Sequence, residues 1–266
     1  MYAFDYLRPA SLTEAVAMLA DNPEGKALSG GHTLIPAMKL RLTGPAALVD
    51  LNGLAELRGI KLEGDTLIIG ALSRHHEVAN SDVVKQAIPV LAEMVGTIGD
   101  PAVRHRGTIG GSLANNDPSA DYAAAAMALG ATVVTDRRRI AADDYFQGLF
   151  TTALEEGEIV TAVEFPIPKR MGYSKFRNPA SRYALCAVCV AQTASGETRV
   201  SVIGAGADGV FRASAFEAAL ASDFSAKALE GLSVPPDDMA SDIHADQDYR
   251  AHLVGVMARR AVAGAK

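Results

Sequence analysis

The sequence predicts an α+β fold in two parts, and three observations carry that prediction. Short apolar strand patterns alternate with helical ones over residues 1–168. The run Pro166-Ile167-Pro168-Lys169-Arg170-Met171-Gly172 then breaks the pattern and marks a boundary, leaving residues 172–266 as a smaller second domain. Beyond the boundary, Tyr173–Arg177, Ala184–Ala194 and Glu197–Ala205 read as a three-stranded antiparallel sheet, with Ser195-Gly196-Glu197 as a hairpin turn and helices after it.

Taken in order, the elements begin with Ser11-Leu12-Thr13-Glu14, a capping box ahead of the apolar positions Leu12, Ala15, Val16 and Leu19. It predicts a first helix that ends near Asn22-Pro23, followed by a strand running into Ser29-Gly30-Gly31. Ala47–Leu51 and Thr66–Gly70 read as strands. Val84, Ala87, Ile88, Leu91 and Val95 have helical spacing and predict one helix over Val83–Val95. A second glycine pair, Gly110-Gly111, leads into a helix over Asp121–Leu129, a strand at Ala131–Thr135 and another at Glu158–Phe165. In the second domain, helices are expected at Ala215–Ala221, Ser225–Leu229 and Asp248–Val262.

Bulk properties exclude several classes. The chain has 266 residues, ample for a buried core, and its apolar and charged contents are ordinary for a globular protein. A net charge of −6 argues against a nucleic-acid partner. Arg137-Arg138-Arg139 is the one dense basic run, read as a solvated hairpin or loop in preference to a docking patch. No apolar stretch approaches the ~20 residues that span a bilayer, so no transmembrane segment is expected. No basic-then-apolar secretory leader opens the sequence, and a cytoplasmic location is the expectation. Cys186 and Cys189 form a Cys-x-x-Cys inside an apolar strand pattern, where residues three apart point to opposite faces. They read as core, and two thiols do not complete the four-thiolate set of an iron–sulfur cluster.

The most informative stretches are the two glycine turns. Arg106-Gly107-Thr108-Ile109-Gly110-Gly111-Ser112 continues through Leu113-Ala114-Asn115-Asn116-Asp117-Pro118-Ser119-Ala120 to Asp121. Ala27-Leu28-Ser29-Gly30-Gly31-His32-Thr33-Leu34-Ile35 has the same design: an apolar strand, two glycines, polar residues and an apolar restart. Such a turn is either a plain tight turn or an anion-binding nest of converging amides. Two of them can grip the two sides of a diphosphate. Neither has the Gly-Lys-Ser/Thr of a P-loop or the spacing of a Rossmann fingerprint.

Ser29-Gly30-Gly31-His32-Thr33-Leu34-Ile35-Pro36-Ala37-Met38-Lys39-Leu40-Arg41-Leu42 and Thr108–Asp121 resemble the two FAD-diphosphate loops of the molybdenum hydroxylase family. The resemblance is to the separate flavoprotein, or medium, subunit of the aerobic carbon monoxide dehydrogenase type, with the FAD domain of xanthine dehydrogenase a more distant relative. It runs from Phe4-Asp5-Tyr6 to Tyr249-Arg250-Ala251-His252-Leu253. It implies a vanillyl-alcohol oxidase/PCMH-like FAD-binding domain over residues 1–168, with subdomains at about 1–53 and 54–168, ahead of the smaller domain.

The resemblance also assigns residues. Ser29, Gly30, Gly31, His32, Thr33 and Leu34 match the first loop, and Thr108, Ile109, Gly110, Gly111 and Ser112 the second, with their amides on the FAD diphosphate. Asp121 matches an acidic residue near the adenosine half, and it is equally suited to N-cap the following helix. Val160 matches an apolar position against the cofactor, or is simply core. Either Lys175 or Arg177 is the basic residue that reaches the flavin. Tyr183 lies where an aromatic ring approaches it, or is an ordinary strand-edge tyrosine. His32 reads as a loop-steadying side chain in preference to a catalytic one. Lys39 and Arg41 face either solvent or a partner subunit.

The function implied is electron transfer. FAD, bound noncovalently, takes electrons from the [2Fe–2S] clusters of a small subunit after a large subunit has oxidised the substrate at molybdenum, and passes them to an external acceptor. Molybdenum and clusters lie on partner subunits only, in a dimer of heterotrimers. Carbon monoxide, a purine, an aldehyde or an N-heterocycle all fit as substrate. The rival reading is a self-sufficient FAD-dependent oxidase or dehydrogenase.

Overall fold

Three sheets organise the computed structural model, which describes residues 1–266. The first is a parallel sheet in the order Asp5–Leu7, Ala47–Asp50, Lys26–Leu28. Its central strand opens on Ala47-Leu48-Val49, apolar and buried in succession because a parallel strand is covered on both faces. The helix Leu12–Asp21 packs its Ala15 and Leu19 into this layer. Its cap differs in one detail from the predicted box: Ser11 accepts the Glu14 amide, but the Glu14 carboxylate reaches back to the amide of Ala10 at 2.6 Å.

The second sheet has five antiparallel strands, ordered Ile60–Glu63, Thr66–Gly70, Val160–Pro166, Thr132–Thr135, Arg139–Ala141. The helix predicted over Val83–Val95 is two helices, Asp82–Ala87 and Pro89–Gly96. Proline disfavours helical backbone in the residue before it, and Ile88 accordingly sits at φ −142°, ψ 77°. Pro89 then opens the next helix, where its missing N–H leaves no bond unmade. The Arg137–Arg139 run lies at the hairpin into the edge strand: Arg137 and Arg138 pair with Glu155, Arg138 also with Glu158, and Arg139 with Glu164.

The third sheet contains the three predicted strands, as Arg170–Arg177, Ala184–Gln192 and Thr198–Ile203, plus a fourth of two residues, Phe211–Arg212. Too short to show a pattern, that edge strand was illegible in the sequence. Ser225–Leu229 is likewise shorter than predicted, a single 3₁₀ turn at Lys227–Leu229. One face of the sheet carries Ser214–Ser222 and the long helix Gln247–Ala263. The other lies on Asp121–Leu129, every residue of which is buried because sheets cover it on both sides. Cys189 belongs to the core on that side and Cys186 to the core beneath Gln247–Ala263, so the two thiols face apart. Burial pushes both thiols up, that of Cys186 to about 12. The main core includes Leu67, Ile69 and Val163 together with Ala187, Cys189 and Ile203, and so runs across residues 166–172.

Candidate functional site

The two glycine loops meet. Lys26–Leu28 delivers the first from the carboxyl end of a parallel strand, the usual place for a ligand crevice in such sheets. Asn52, just beyond the end of the neighbouring strand, donates its side-chain amide to the Ser29 carbonyl at 2.8 Å and ties the loop down. The Ser29 and Thr108 hydroxyls are 3.0 Å apart and hydrogen-bonded. A Cβ on Gly30 would collide with the Arg106 carbonyl oxygen and stand 2.9 Å from the Gly107 Cα. Gly30 is therefore required by loop-on-loop packing. Gly31, at φ +72°, is required by backbone conformation. Cβ atoms on Gly110 and Gly111 would meet Ala71 and the Ser29 hydroxyl at 2.6 and 2.7 Å.

The loops differ in what they offer a ligand. None of the amides of Ser29, Gly30, Gly31, His32 and Thr33 donates to a protein acceptor. They run consecutively into the helix Leu34–Lys39, with His32 and Thr33 exposed. In the second loop, Ile109 donates to the Ser73 carbonyl at 3.1 Å and Gly110 to that of Ala71 at 2.9 Å. Thr108 N-caps the helix Ile109–Asn115 and takes the Gly111 amide at 3.2 Å, while Ser112 donates to the Thr108 carbonyl. At Ile109–Ser112 the donors are engaged in docking the loop onto Ala71–Ser73 and in starting its own helix.

Asp121 opens the helix Asp121–Leu129, but Ala120 is the N-cap and no side chain caps that helix end. The Asp121 carboxylate, 5% exposed, instead accepts from the Lys175 ammonium at 2.9 Å on both oxygens and from the Tyr173 phenol on Oδ1. Burial and the Asp121 charge hold the Tyr173 phenol well above its ordinary range, so it stays a donor. Tyr173 and Lys175 are two apart on one strand and share a face. A bulge between Phe176 and Arg177 ends that alternation, and Arg177 is exposed. Lys175, not Arg177, is the basic residue brought to Asp121. Tyr173 was missed, although its spacing from Lys175 was the signal that could have found it.

Tyr183 is half exposed on the hairpin after Arg177, where Arg182 takes φ +64°. It lines a cavity of about 390 Å³ with Asp117, Ser119, Asn178 and Arg250. Val160 is buried in the main core at a bulge opposite Thr135. His75, also missed in the sequence, underlies the second loop: its amide donates to the Gly107 carbonyl, and its Nε2 fills the space a Gly107 Cβ would need. Burial chiefly, with His32 and Arg104 adding to it, lowers its imidazole to about 4.

A run of unengaged amides and a buried Asp–Lys pair suit a ligand with both a phosphate and hydroxyl groups. Comparison with known proteins agrees. Residues 2–168 match the family described as the FAD binding domain in molybdopterin dehydrogenase. The chain belongs to this family. It is 37% identical to the carbon monoxide dehydrogenase medium chain of Afipia carboxidovorans, over 99% of this chain and 97% of that one. Among solved structures, the carbon monoxide dehydrogenase of Hydrogenophaga pseudoflava that lacks the Mo-pyranopterin moiety matches with a TM-score of 0.87 at 34% identity, covering 99% of this chain and 97% of that chain. Quinoline 2-oxidoreductase from Pseudomonas putida 86 matches with a TM-score of 0.87 at 30% identity, over 98% and 96% of the two chains. The family's FAD fits the residues present here: a diphosphate needs donors without partners, and Ser29–Thr33 has them.

Proposed function

We propose that this chain is the FAD-binding electron-transfer subunit of a molybdenum hydroxylase. The substrate is oxidised at molybdenum in a large subunit, a small subunit carries the [2Fe–2S] clusters, and two such heterotrimers pair. Noncovalently bound FAD supplies one- and two-electron chemistry between those clusters and an external acceptor. The observation that carries the reading is the unpartnered amide run at Ser29–Thr33, held open by the packing of Gly30 on Arg106–Gly107.

On this reading the first loop binds the diphosphate through its amides, continued by Leu34 at the start of its helix. The second loop, Thr108–Ser112, is the wall that positions the first, with the Ser29 and Thr108 hydroxyls bonded between them. Asp121 and Lys175 hold each other with hydrogen-bonding capacity to spare: an ammonium has three donors and a carboxylate about four acceptor sites. One donor and one acceptor remain, which matches a sugar or ribityl hydroxyl. Val160 contributes apolar wall, and Tyr183 and Arg177 approach from the hairpin of the third sheet. Asp121 is tied to Lys175 and His75 is buried and neutral, so neither is poised for proton transfer. That suits a subunit that relays electrons and leaves substrate oxidation to another chain.

The test is co-purification of the tagged chain from its native source, with flavin, iron and molybdenum measured on one sample. FAD, iron and molybdenum recovered with two further polypeptides are expected. A metal-free flavoprotein that turns over a substrate alone would replace the proposal with the self-sufficient oxidase.

A further inference from the structure

The cavity of about 390 Å³ that adjoins Tyr183 has the volume of a small-molecule site. Of the residues that the reading above gives to FAD, Tyr183 alone lines it; the glycine loops, Asp121, Val160 and Lys175 do not. A flavin held by those residues therefore leaves the cavity open. Burial, then the Asp117 and Asp121 carboxylates, hold the Tyr183 phenol above its ordinary range, so the one ring lies within reach of a carboxylate of the cavity and of the Asp121–Lys175 pair.

The lining describes its ligand. Arg250 is buried, with Nη1 donating to the carbonyls of Leu185, at 2.8 Å, and Gly204, and Nη2 to Asp242 at 2.7 Å. Its Nε–H is buried without a partner in the protein. Such a donor ordinarily finds an acceptor, and an oxygen of a bound molecule supplies one. That oxygen does not belong to an anion. Arg250 is the only arginine or lysine in the lining, Asp242 neutralises it, and Asp117 adds a second carboxylate. The rim is apolar. Leu149 and Tyr183 are about half exposed in the lining, Phe150 follows Leu149, and Ile243, 95% exposed, stands between the lining residues Asp242 and His244.

Phe150 is displayed there at φ +54°, a left-handed conformation that bulky residues avoid. Buried Asn116 enforces the turn: its Nδ2 donates to the carbonyls of Gly148 and Thr151 at 2.8 and 2.7 Å, and its own carbonyl accepts the Phe150 amide at 3.1 Å. Strain of this kind clusters at ligand clamps.

We propose that this cavity takes the external electron acceptor and that the acceptor is a quinone, an assignment that rests on the electron-transfer reading above. A quinone is flat and uncharged, with a carbonyl oxygen for the Arg250 Nε–H and a ring for Leu149, Phe150 and Tyr183 to hold. A nicotinamide dinucleotide would bring a diphosphate to two carboxylates and no free cation. In the step, the quinone gains two electrons and two protons and becomes a hydroquinone. Reduced and oxidised FAD differ by the same two electrons and two protons.

The experiment titrates duroquinone, by calorimetry, into the oxidised, FAD-loaded complex, so that nothing turns over. Wild type is compared with Leu149→Glu and Phe150→Gly, with Leu62→Glu, at an exposed leucine on a different sheet, as the control. FAD per chain and Tm are measured on each. Glycine adopts the backbone of position 150 without strain, so a loss of binding there is not a loss of fold. Both cavity variants lose apolar contact with the ring and are expected to bind duroquinone roughly tenfold more weakly, with FAD content and Tm unchanged and the control like wild type. Equal binding by wild type and both variants overturns the assignment, as does an FAD-loaded complex that binds no duroquinone. Binding of NAD that displaces duroquinone overturns the quinone class, and binding seen only in FAD-free protein makes the cavity part of the flavin's own site. A chain that carries FAD but recovers no partner polypeptides overturns the electron-transfer reading and the assignment with it.

Discussion

Ser29 and Thr108, 79 positions apart in the sequence, join the two glycine loops through a 3.0 Å hydroxyl–hydroxyl hydrogen bond. The bond lies between Gly111, whose Cβ would strike both oxygens, and Thr108's cap on its own helix. Each loop thus shapes the other, and the first is left with its amides free.

Gly30→Ala is expected to force the loops apart, because the new methyl meets backbone at Arg106 and Gly107 that has no rotamer to change. Overpacking of this kind costs about 1–3 kcal/mol. Thermal unfolding of the apo chain should show that loss, and FAD affinity should fall with it. Gly31→Ala instead incurs left-handed backbone strain of about 1 kcal/mol, with the same loss of FAD on equilibrium titration.

Lys175→Met should be the more damaging of two changes at the buried pair. It leaves the Asp121 carboxylate uncompensated, and breaking such a pair costs about 3–5 kcal/mol. Tyr173→Phe removes one charge-assisted bond and should cost about 1.5–3 kcal/mol. Adding Asp121→Asn to Lys175→Met should restore much of the stability and none of the FAD affinity, a separation that denaturant unfolding and flavin titration read independently.

Acid should destabilise the fold in two windows. His75 titrates near 4 in the folded chain against 6.5 unfolded, so between those values the unfolded state binds the extra proton and stability falls with pH, by roughly 3 kcal/mol in all. Glu158 is held at about 2, chiefly by its hydrogen bonds from Arg138, against 4.5 unfolded. Its contribution is complete above 4.5 and is lost as pH falls toward 2. Unfolding free energies from pH 7 to 3 should show a His75→Gln variant flatter in the upper window and Glu158→Gln flatter in the lower.

Much of this was legible in the sequence, because the local signals were strong. Asp121–Leu129, Thr66–Gly70 and the long final helix follow from apolar pattern and turn residues alone. The break at Ile88 was missed because the apolar spacing continues through Pro89 and outweighed it. At the site, residue types pointed to the loops, but not to which amides were free. That depends on Ala71 and Ser73 offering carbonyls to Ile109 and Gly110, a contact between segments far apart in the chain. The pairing of Lys175 with Asp121 was hidden for the same reason.

Hydrogen–deuterium exchange at Ser29–Thr33 and at Ile109–Gly110, followed in the complex with and without FAD, tests the central claim most directly. The amides of Ser29–Thr33 should exchange fast without FAD and become protected with it, while those of Ile109 and Gly110 are protected throughout. Exchange at Ser29–Thr33 that FAD leaves unchanged would contradict the account.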